Sequence, residues 1–184
     1  PLWSRGLGDV YKRQLFNNPI VFFTSLIALI VAITIHEFSH AFIADRLGDP
    51  TPRLQGRLTL NPLAHLDPIG SILMLVARFG WGKPVVFDPF NLRHPRRDAA
   101  LISLAGPASN ILCAAFCSLL LRLTLASSAS LFMASLLEPI IVLNVVLAVF
   151  NLVPVHPLDG FKIVEGALPK AYARQWLSLI HISE

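Results

Sequence analysis

The sequence has few charged residues and few cysteines. Only 14% of its 184 residues are Asp, Glu, Lys or Arg, whereas 54% are hydrophobic. This charge content lies well outside the range of soluble globular proteins. Cys113 and Cys117 are the only cysteines, and no partner pair exists elsewhere, so we expect them to be small packing residues rather than metal ligands. The composition predicts a polytopic membrane protein.

The two ends of the chain are related to each other at the DNA level. Residues 7–14 read LGDVYKRQ, and residues 177–184 read LSLIHISE. A DNA sequence that encodes the first octapeptide has a reverse complement that encodes the second, and the pair resembles a transposon-library adapter. We therefore expect residues 1–14 and 177–184 to be adapter-derived and non-native, and residues 15–176 to form one membrane core that is truncated at both ends.

The sequence also lacks a strong excess of charge of one sign. The formal net charge is +4, and it falls to +3 without the adapter-derived ends, which carry three basic and two acidic residues. So small an excess gives no reason to expect a nucleic-acid partner.

Three apolar segments are long enough to cross a bilayer. Residues 19–44, 99–121 and 131–152 each exceed the roughly 20 residues that a spanning helix needs, and the second has no charged residue. Residues 69–81 form a shorter apolar piece punctuated by glycines, which predicts a re-entrant or interfacial element. The predicted fold class is an all-α polytopic membrane protein, with a three-helix core plus a re-entrant hydrophobic segment.

The distribution of basic residues predicts the orientation of these segments. If residues 69–81 re-enter the membrane, the basic residues that flank them share one side, and only Arg122 lies on the other. Those flanking residues are Arg46, Arg53, Arg57, Lys83, Arg93, Arg96 and Arg97. By the positive-inside rule the loops that carry them are cytoplasmic. We expect a multi-pass protein of the cell (inner) membrane.

The first apolar segment contains an HExxH motif, His36-Glu37-Phe-Ser-His40. The i, i+4 spacing places both histidines on one helix face, so both imidazoles can reach a single zinc ion. Glu37 lies about 100° round the helix, near the metal but free to take a proton from water. An unpaired carboxylate within a spanning helix costs at least about 2.5 kcal/mol, so we interpret Glu37 as functional.

A catalytic zinc ion usually has three protein ligands, so a third ligand is expected elsewhere. Residues 151–160 read NLVPVHPLDG, and the prolines break the third helix at membrane depth. Unwound backbone is tolerated there only when it is buried in protein or lines a wet cavity. Asp159 then lies on the same side as His40, where the first and third helices both end. The active site is therefore expected towards the cytoplasmic side.

Together, HEFSH in an early membrane helix and NLVPVHPLDG at the end of a late one resemble the site-2 protease family. Residues 56–70, the Ala-Gly-Pro at 105–107 and Asn110 are similar to its short bacterial members. The resemblance covers essentially all of residues 15–176, and no PDZ module is visible between the helices. It implies a zinc metalloendopeptidase that cleaves transmembrane protein substrates within the bilayer.

The resemblance also implies roles for individual residues. The zinc ligands would be His36, His40 and Asp159, with Glu37 as the general base. Asn151 would lie close to the catalytic centre, as a substrate or oxyanion contact.

Several residues outside the expected ligand set have other possible roles. His156 is either an alternative ligand or a loop histidine. His65 is either a turn-capping residue or a substrate contact. Residues 54–60 alternate enough to offer an edge strand to an unwound substrate, which would make Leu58 and Leu60 substrate-binding residues. Asn110 is expected to form interhelical hydrogen bonds.

Two other functional classes compete with the protease. A membrane transporter or metal-ion carrier could use the same polar residues, but it predicts inverted repeats or matching broken helices, and neither is visible. A catalytically dead scaffold would be expected to lose Glu37 or a ligand, and the motifs are intact. The sequence does not indicate the oligomeric state.

Overall fold

The computed structural model describes residues 19–70, 73, 82–124, 130–169, 172–173 and 176. Within these residues the secondary structure is helical, and no strand is formed. We number the α-helices α1, Pro19–Arg46; α2, Thr51–Leu54; α3, Pro95–Thr124; α4, Ser130–Asn151; and α5, Asp159–Ala167. Short 3-10 turns occupy Pro62–Ala64 and Pro89–Asn91. The adapter-derived ends expected at residues 1–14 and 177–184 lie outside the described part.

Three of these helices are long and apolar enough to cross a membrane, namely Pro19–Arg46, Pro95–Thr124 and Leu131–Asn151. They confirm the three predicted spans, although α3 begins four residues earlier than expected. The predicted re-entrant element at residues 69–81 lies mostly outside the described residues and stays a prediction.

The spanning helices contact one another through small residues. Helix α1 buries Ala28, Ala32, Ala41 and Ala44, which allow neighbouring backbones to approach closely. Farther along the bundle Ala28 packs with Cys117, Leu137 and Ile140 in a buried apolar cluster, and Cys113 packs against it. The two cysteines are therefore packing residues, as expected.

Large apolar side chains cover the outer faces of the same helices. Exposed examples are Phe23 and Ile27 on α1, Leu112, Phe116 and Leu119 on α3, and Val142, Val146 and Phe150 on α4. Soluble monomers rarely expose apolar patches of this extent. These faces fit contact with lipid chains, and the protein is a membrane protein.

Asp49 links the chain after α1 to the segment that precedes α3. Its carboxylate accepts hydrogen bonds from Thr51, from the backbone N–H of Asp88 at 2.7 Å and from Asn91 at 2.8 Å. Burial alone would raise the pKa of Asp49, but these hydrogen bonds hold it below its usual value. The link fixes the segment before α3 against the end of α1.

The prediction that residues 54–60 form an edge strand is wrong. Leu54 ends helix α2, and Gly56 adopts a left-handed conformation with φ 69°. Leu58 follows in a bend and Leu60 in irregular backbone, and neither pairs with a strand. Pro52 lies in the first turn of α2 and favours its helical backbone, and Gly56 ends it. The nearest strand-like pairing is a single bridge between Leu66 and Gly82.

Helix α4 ends at Asn151, and helix α5 begins at Asp159. The break was predicted from the prolines between them, which cannot continue a helix. Gly160 makes the return possible, because a Cβ there would overlap the backbone of Leu152 and Val153. The turn therefore brings Asp159 back to the end of the bundle where α1 ends and α3 begins.

Candidate metal centre

His36 presents one ring nitrogen to the protein and the other to Asp159. Its Nδ1 lies 2.6 Å from Oδ1 of Asn110 on α3, and its Nε2 lies 3.1 Å from Oδ2 of Asp159. The ring is buried. A histidine that donates from Nδ1 has a free lone pair at Nε2, which is the arrangement of a metal ligand.

His40 repeats this arrangement one turn later on α1. Its Nδ1 lies 2.6 Å from the backbone oxygen of Ile102, and its Nε2 lies 3.2 Å from the same Oδ2 of Asp159. A carbonyl oxygen only accepts hydrogen bonds, so Nδ1 of His40 must carry the proton. The lone pair at Nε2 therefore points at the carboxylate of Asp159.

The three side chains offer a donor set that fits zinc. Their ligand atoms all lie within 4.8 Å of one another. A tetrahedral ion with bonds of about 2.0–2.1 Å needs ligand atoms about 3.3 Å apart, and Nε2 of His36 and His40 lie 3.1 and 3.2 Å from Oδ2 of Asp159. The Nε2 lone pairs of the two histidines and the negative carboxylate of Asp159 repel one another unless a cation or a proton lies between them.

Asp159 is held in the ionised form that a metal ligand requires. Burial alone would raise the pKa of this carboxyl, but a proton between it and the imidazoles of His36 and His40, in the place that a cation would take, holds the pKa well below the usual range. The residue lies at the first position of α5, where the helix dipole also favours a negative charge.

Gly106 of α3 leaves the space that the two imidazoles fill. A Cβ at this position would lie 2.5 Å from Nε2 of His40 and 2.7 Å from Cε1 of His36. Any larger residue would displace the ligands. Gly106 therefore allows α3 to approach α1 closely at the ligand pair.

Glu37 lies beside the histidines and is held by a backbone amide. Its Oε2 accepts a hydrogen bond of 3.0 Å from the N–H of Val85. With His36, His40 and Asp159 it lines a cavity of about 160 Å³. A carboxylate next to a three-ligand metal site is in a position to act as general base.

The remaining wall of this cavity contains polar and apolar residues. Its other lining residues are Pro84, Val85, Phe87, Ile102, Ser103, Asn151, Pro157 and Lys162. Asn151 therefore lies close to the centre, with its Nδ2 donating to the backbone oxygen of Leu147 at 3.0 Å. Its role in binding a substrate or an oxyanion stays a prediction.

Four other candidates lie away from the ligand cluster. His65 is fully buried, with Nε2 2.8 Å from the backbone oxygen of Thr59, which fits the turn-holding reading. His156 is exposed, and its ring packs edge-on against Phe161. Leu58 and Leu60 are absent from the cavity wall. Substrate contact by His65, Leu58 or Leu60 stays a prediction.

Sequence reasoning missed several contacts at this site. Asn144, in the third span, carries a signal that could have been used, since an amide inside a membrane helix needs a hydrogen-bond partner. Lys162 lies about one helical turn after Asp159, and this spacing could have indicated that Lys162 lines the cavity. The amide of Val85 and the carbonyl of Ile102 carry no such signal, because every residue type except proline has both groups.

Comparison with known proteins identifies the family of this site. A model of peptidase family M50 matches residues 122–179, which include Asp159. YwhC of Bacillus subtilis is 44% identical over 150 residues, 78% of this chain and 68% of YwhC. The chain belongs to peptidase family M50. The resemblance to the site-2 proteases is thereby confirmed.

More distant relatives of this M50 chain come from a mycobacterium and an archaeon. Rip2 of Mycolicibacterium smegmatis is 35% identical over 173 residues, 87% of this chain and 65% of Rip2. MJ0392 of Methanocaldococcus jannaschii is 25% identical over 159 residues, 86% of this chain and 38% of MJ0392. MJ0392 is named a zinc metalloprotease, and the names of YwhC and Rip2 give that assignment provisionally.

The chain spans about two thirds of the length of YwhC and Rip2. No solved structure shows a significant match to it.

Proposed function

We propose that this chain is the membrane core of a zinc-dependent endopeptidase that hydrolyses peptide bonds in or near transmembrane segments of other membrane proteins. One observation carries the proposal. His36, His40 and Asp159 converge, with Glu37 beside them, in a cavity at one end of a bundle of helices that can span a membrane.

The ligand set supports zinc as the cofactor. Two imidazoles and one carboxylate leave a fourth position open, as in catalytic zinc sites. The relatives' names point to the same metal. A zinc ion held by His36, His40 and Asp159 supplies a Lewis acid that acidifies water and polarises a carbonyl group.

Glu37 performs the proton transfers of the reaction. It takes one proton from the attacking water as the oxygen bonds to the carbonyl carbon of the scissile peptide. It then gives this proton to the amide nitrogen as the C–N bond breaks, which leaves a carboxylic acid and an amine. The acid then passes its remaining proton to the amine, so that the final products are a carboxylate and an ammonium group. The N–H of Val85 holds the carboxylate in one orientation between the two transfers.

The position of the site suits a substrate inside the membrane. His40 lies six residues before the end of α1 at Arg46, which corresponds to about 9 Å along the helix axis. A helical substrate must unwind locally to present its carbonyl, because an intact helix uses that group in an i to i−4 hydrogen bond.

The basic residues favour a cytoplasmic orientation of the site. Arg46 ends α1, and Arg96 and Arg97 lie in the first turn of α3, all at the end of the bundle that holds the site. Arg122 lies in the last turn of α3, at the opposite end. By the positive-inside rule the site faces the cytoplasm of the cell in which the protein resides, in its inner membrane.

The proposal is tested by reconstituting the full chain into liposomes with a panel of tagged single-span reporter proteins. We expect zinc-dependent cleavage of one or more reporters within or next to the span. A Glu37→Gln variant should retain zinc but lose at least about 100-fold in rate, because it removes the general base. Equal cleavage by this variant would contradict the proposed mechanism.

A metal carrier is the competing outcome of the same experiment. Liposomes loaded with a fluorescent zinc indicator report zinc entry. Zinc flux without cleavage of any reporter would support the carrier instead of the protease.

A further inference from the structure

A chain of buried amide hydrogen bonds runs through the bundle from α4 to the candidate ligand His36. Asn144 of α4 and Asn110 of α3 are both fully buried. Nδ2 of Asn110 lies 2.7 Å from Oδ1 of Asn144, and Oδ1 of Asn110 lies 2.6 Å from Nδ1 of His36. Buried amides inside spanning helices are costly unless they are fully hydrogen-bonded.

Two backbone carbonyls fix the direction of this chain. Nδ2 of Asn144 is 2.8 Å from the oxygen of Ile140, and Nδ2 of Asn110 is 3.0 Å from the oxygen of Ala32. Because a carbonyl oxygen only accepts, each amide must turn its NH₂ group towards its carbonyl. Asn144 then presents Oδ1 to Asn110, and Asn110 presents Oδ1 to His36.

The direction of the chain determines the protonation of His36. An amide oxygen that faces Nδ1 at 2.6 Å requires a proton on Nδ1. The lone pair of the imidazole is then at Nε2, which faces Asp159 at 3.1 Å. The hydrogen bond from Nδ1 therefore sets the tautomer in which Nε2 can bind a metal ion, and no charged group is needed to set it.

We propose that Asn144 is a positioning residue that acts through Asn110 to hold His36 in its metal-binding tautomer and orientation. This inference rests on the proposed function, because it takes His36 as a zinc ligand. Without Asn144, one N–H of Asn110 has no acceptor. The Asn110 amide is then held only by the backbone oxygen of Ala32, and it fixes the ring of His36 less firmly.

Zinc affinity, measured by competition with a chelator on the full chain in detergent, tests this proposal. The variants are Asn110→Leu, Asn144→Leu and the double substitution. Leucine keeps the branched shape of asparagine and removes both of its polar groups. Ser118→Ala is the matched control, because among the described residues Ser118 on α3 hydrogen-bonds within its own helix, to the oxygen of Ala114.

We expect Asn110→Leu to weaken zinc binding about 10–100-fold and Asn144→Leu about threefold or more. The double variant should bind zinc like Asn110→Leu, because Asn144 acts only through Asn110. The visible bands of bound Co²⁺ should shift in Asn144→Leu and stay unchanged in Ser118→Ala, since they report the orientation of the ligands.

Two results would overturn the positioning role while leaving the metal site intact. One is parental zinc affinity in Asn144→Leu. The other is a further loss of affinity in the double variant, which indicates that Asn144 only supports the fold. No zinc in a folded parent would instead overturn the proposed function, and this inference with it. Asn110→Ala and Asn144→Ala replace any leucine variant whose circular dichroism shows lost helix.

Discussion

At the scale of single residues, the lack of a side chain at Gly106 is as important as the ligands themselves. The imidazole rings of His36 and His40 stand 4.6 Å apart, nearly perpendicular, and they fill the space that a Cβ at Gly106 would need. Alanine is a better helix former than glycine by about 1 kcal/mol. The glycine therefore lowers the stability of α3 and makes room for the ligands.

A Gly106→Ala variant tests this account. We expect α3 to keep its helix but zinc affinity to fall at least about tenfold, because the new methyl group displaces both imidazoles. Chelator competition measures the affinity, and Ala108→Ser, on an exposed face of the same helix, is the control. Unchanged zinc binding by Gly106→Ala would contradict this, because it would show that the imidazole rings can shift and still bind the metal.

The identity of the central residues could be predicted from the sequence, but the groups that hold them could not. The i, i+4 spacing indicated His36, Glu37 and His40 without any structure. Asp159 followed from the resemblance and the broken helix. The carbonyl of Ile102 and the amide of Val85 could not be predicted, because backbone groups carry no residue-specific pattern.

At the scale of elements, the segment between the first two spans supplies the contact that holds the general base. Lys83 N–H donates to the oxygen of His65 at 2.7 Å, and Val85 N–H donates to Glu37. Arg57, which is buried, donates to the backbone oxygens of Ala64 and Lys83. These bonds fix residues 83–85 against both the preceding loop and α1.

A Val85→Pro substitution removes the amide donor, and Val85→Ala retains it. A hydrogen bond to a charged group contributes about 1.5–3 kcal/mol, so we expect kcat/KM on a cleaved reporter to fall about tenfold or more in Val85→Pro. Zinc content should be unchanged, because the amide of Val85 donates to Glu37 and not to a ligand. Equal kcat/KM in the two variants would mean that Glu37 does not depend on this amide.

The spans were predictable at this scale, and the connections were not. Apolar length alone located α1, α3 and α4. The alternation in residues 54–60 suggested a strand, but the proline and glycine around it form a helical turn instead. Short apolar alternation is a weak signal where local turn chemistry opposes it.

At the scale of the whole molecule, the site exists because three spanning helices meet at one end. Helix α1 contributes His36 and His40, and α3 contributes Asn110 and Gly106. The helix break after α4 places Asp159 beside them, although it lies 123 residues from His36 in sequence. The sequence predicted that these parts meet at one end of the bundle, and that this end is cytoplasmic stays a prediction. It could not give their separations, which depend on how closely the small residues let the helices pack.

The central claim is that His36, His40 and Asp159 bind one zinc ion. The most direct test is the zinc content of the purified chain, measured by elemental analysis beside Asp159→Ala and the control His156→Ala. We expect about one zinc per chain in the parent and in His156→Ala, and clearly less in Asp159→Ala, with helical content unchanged in all three. A folded parent without zinc, or an Asp159→Ala variant with as much zinc as the parent, would contradict the claim.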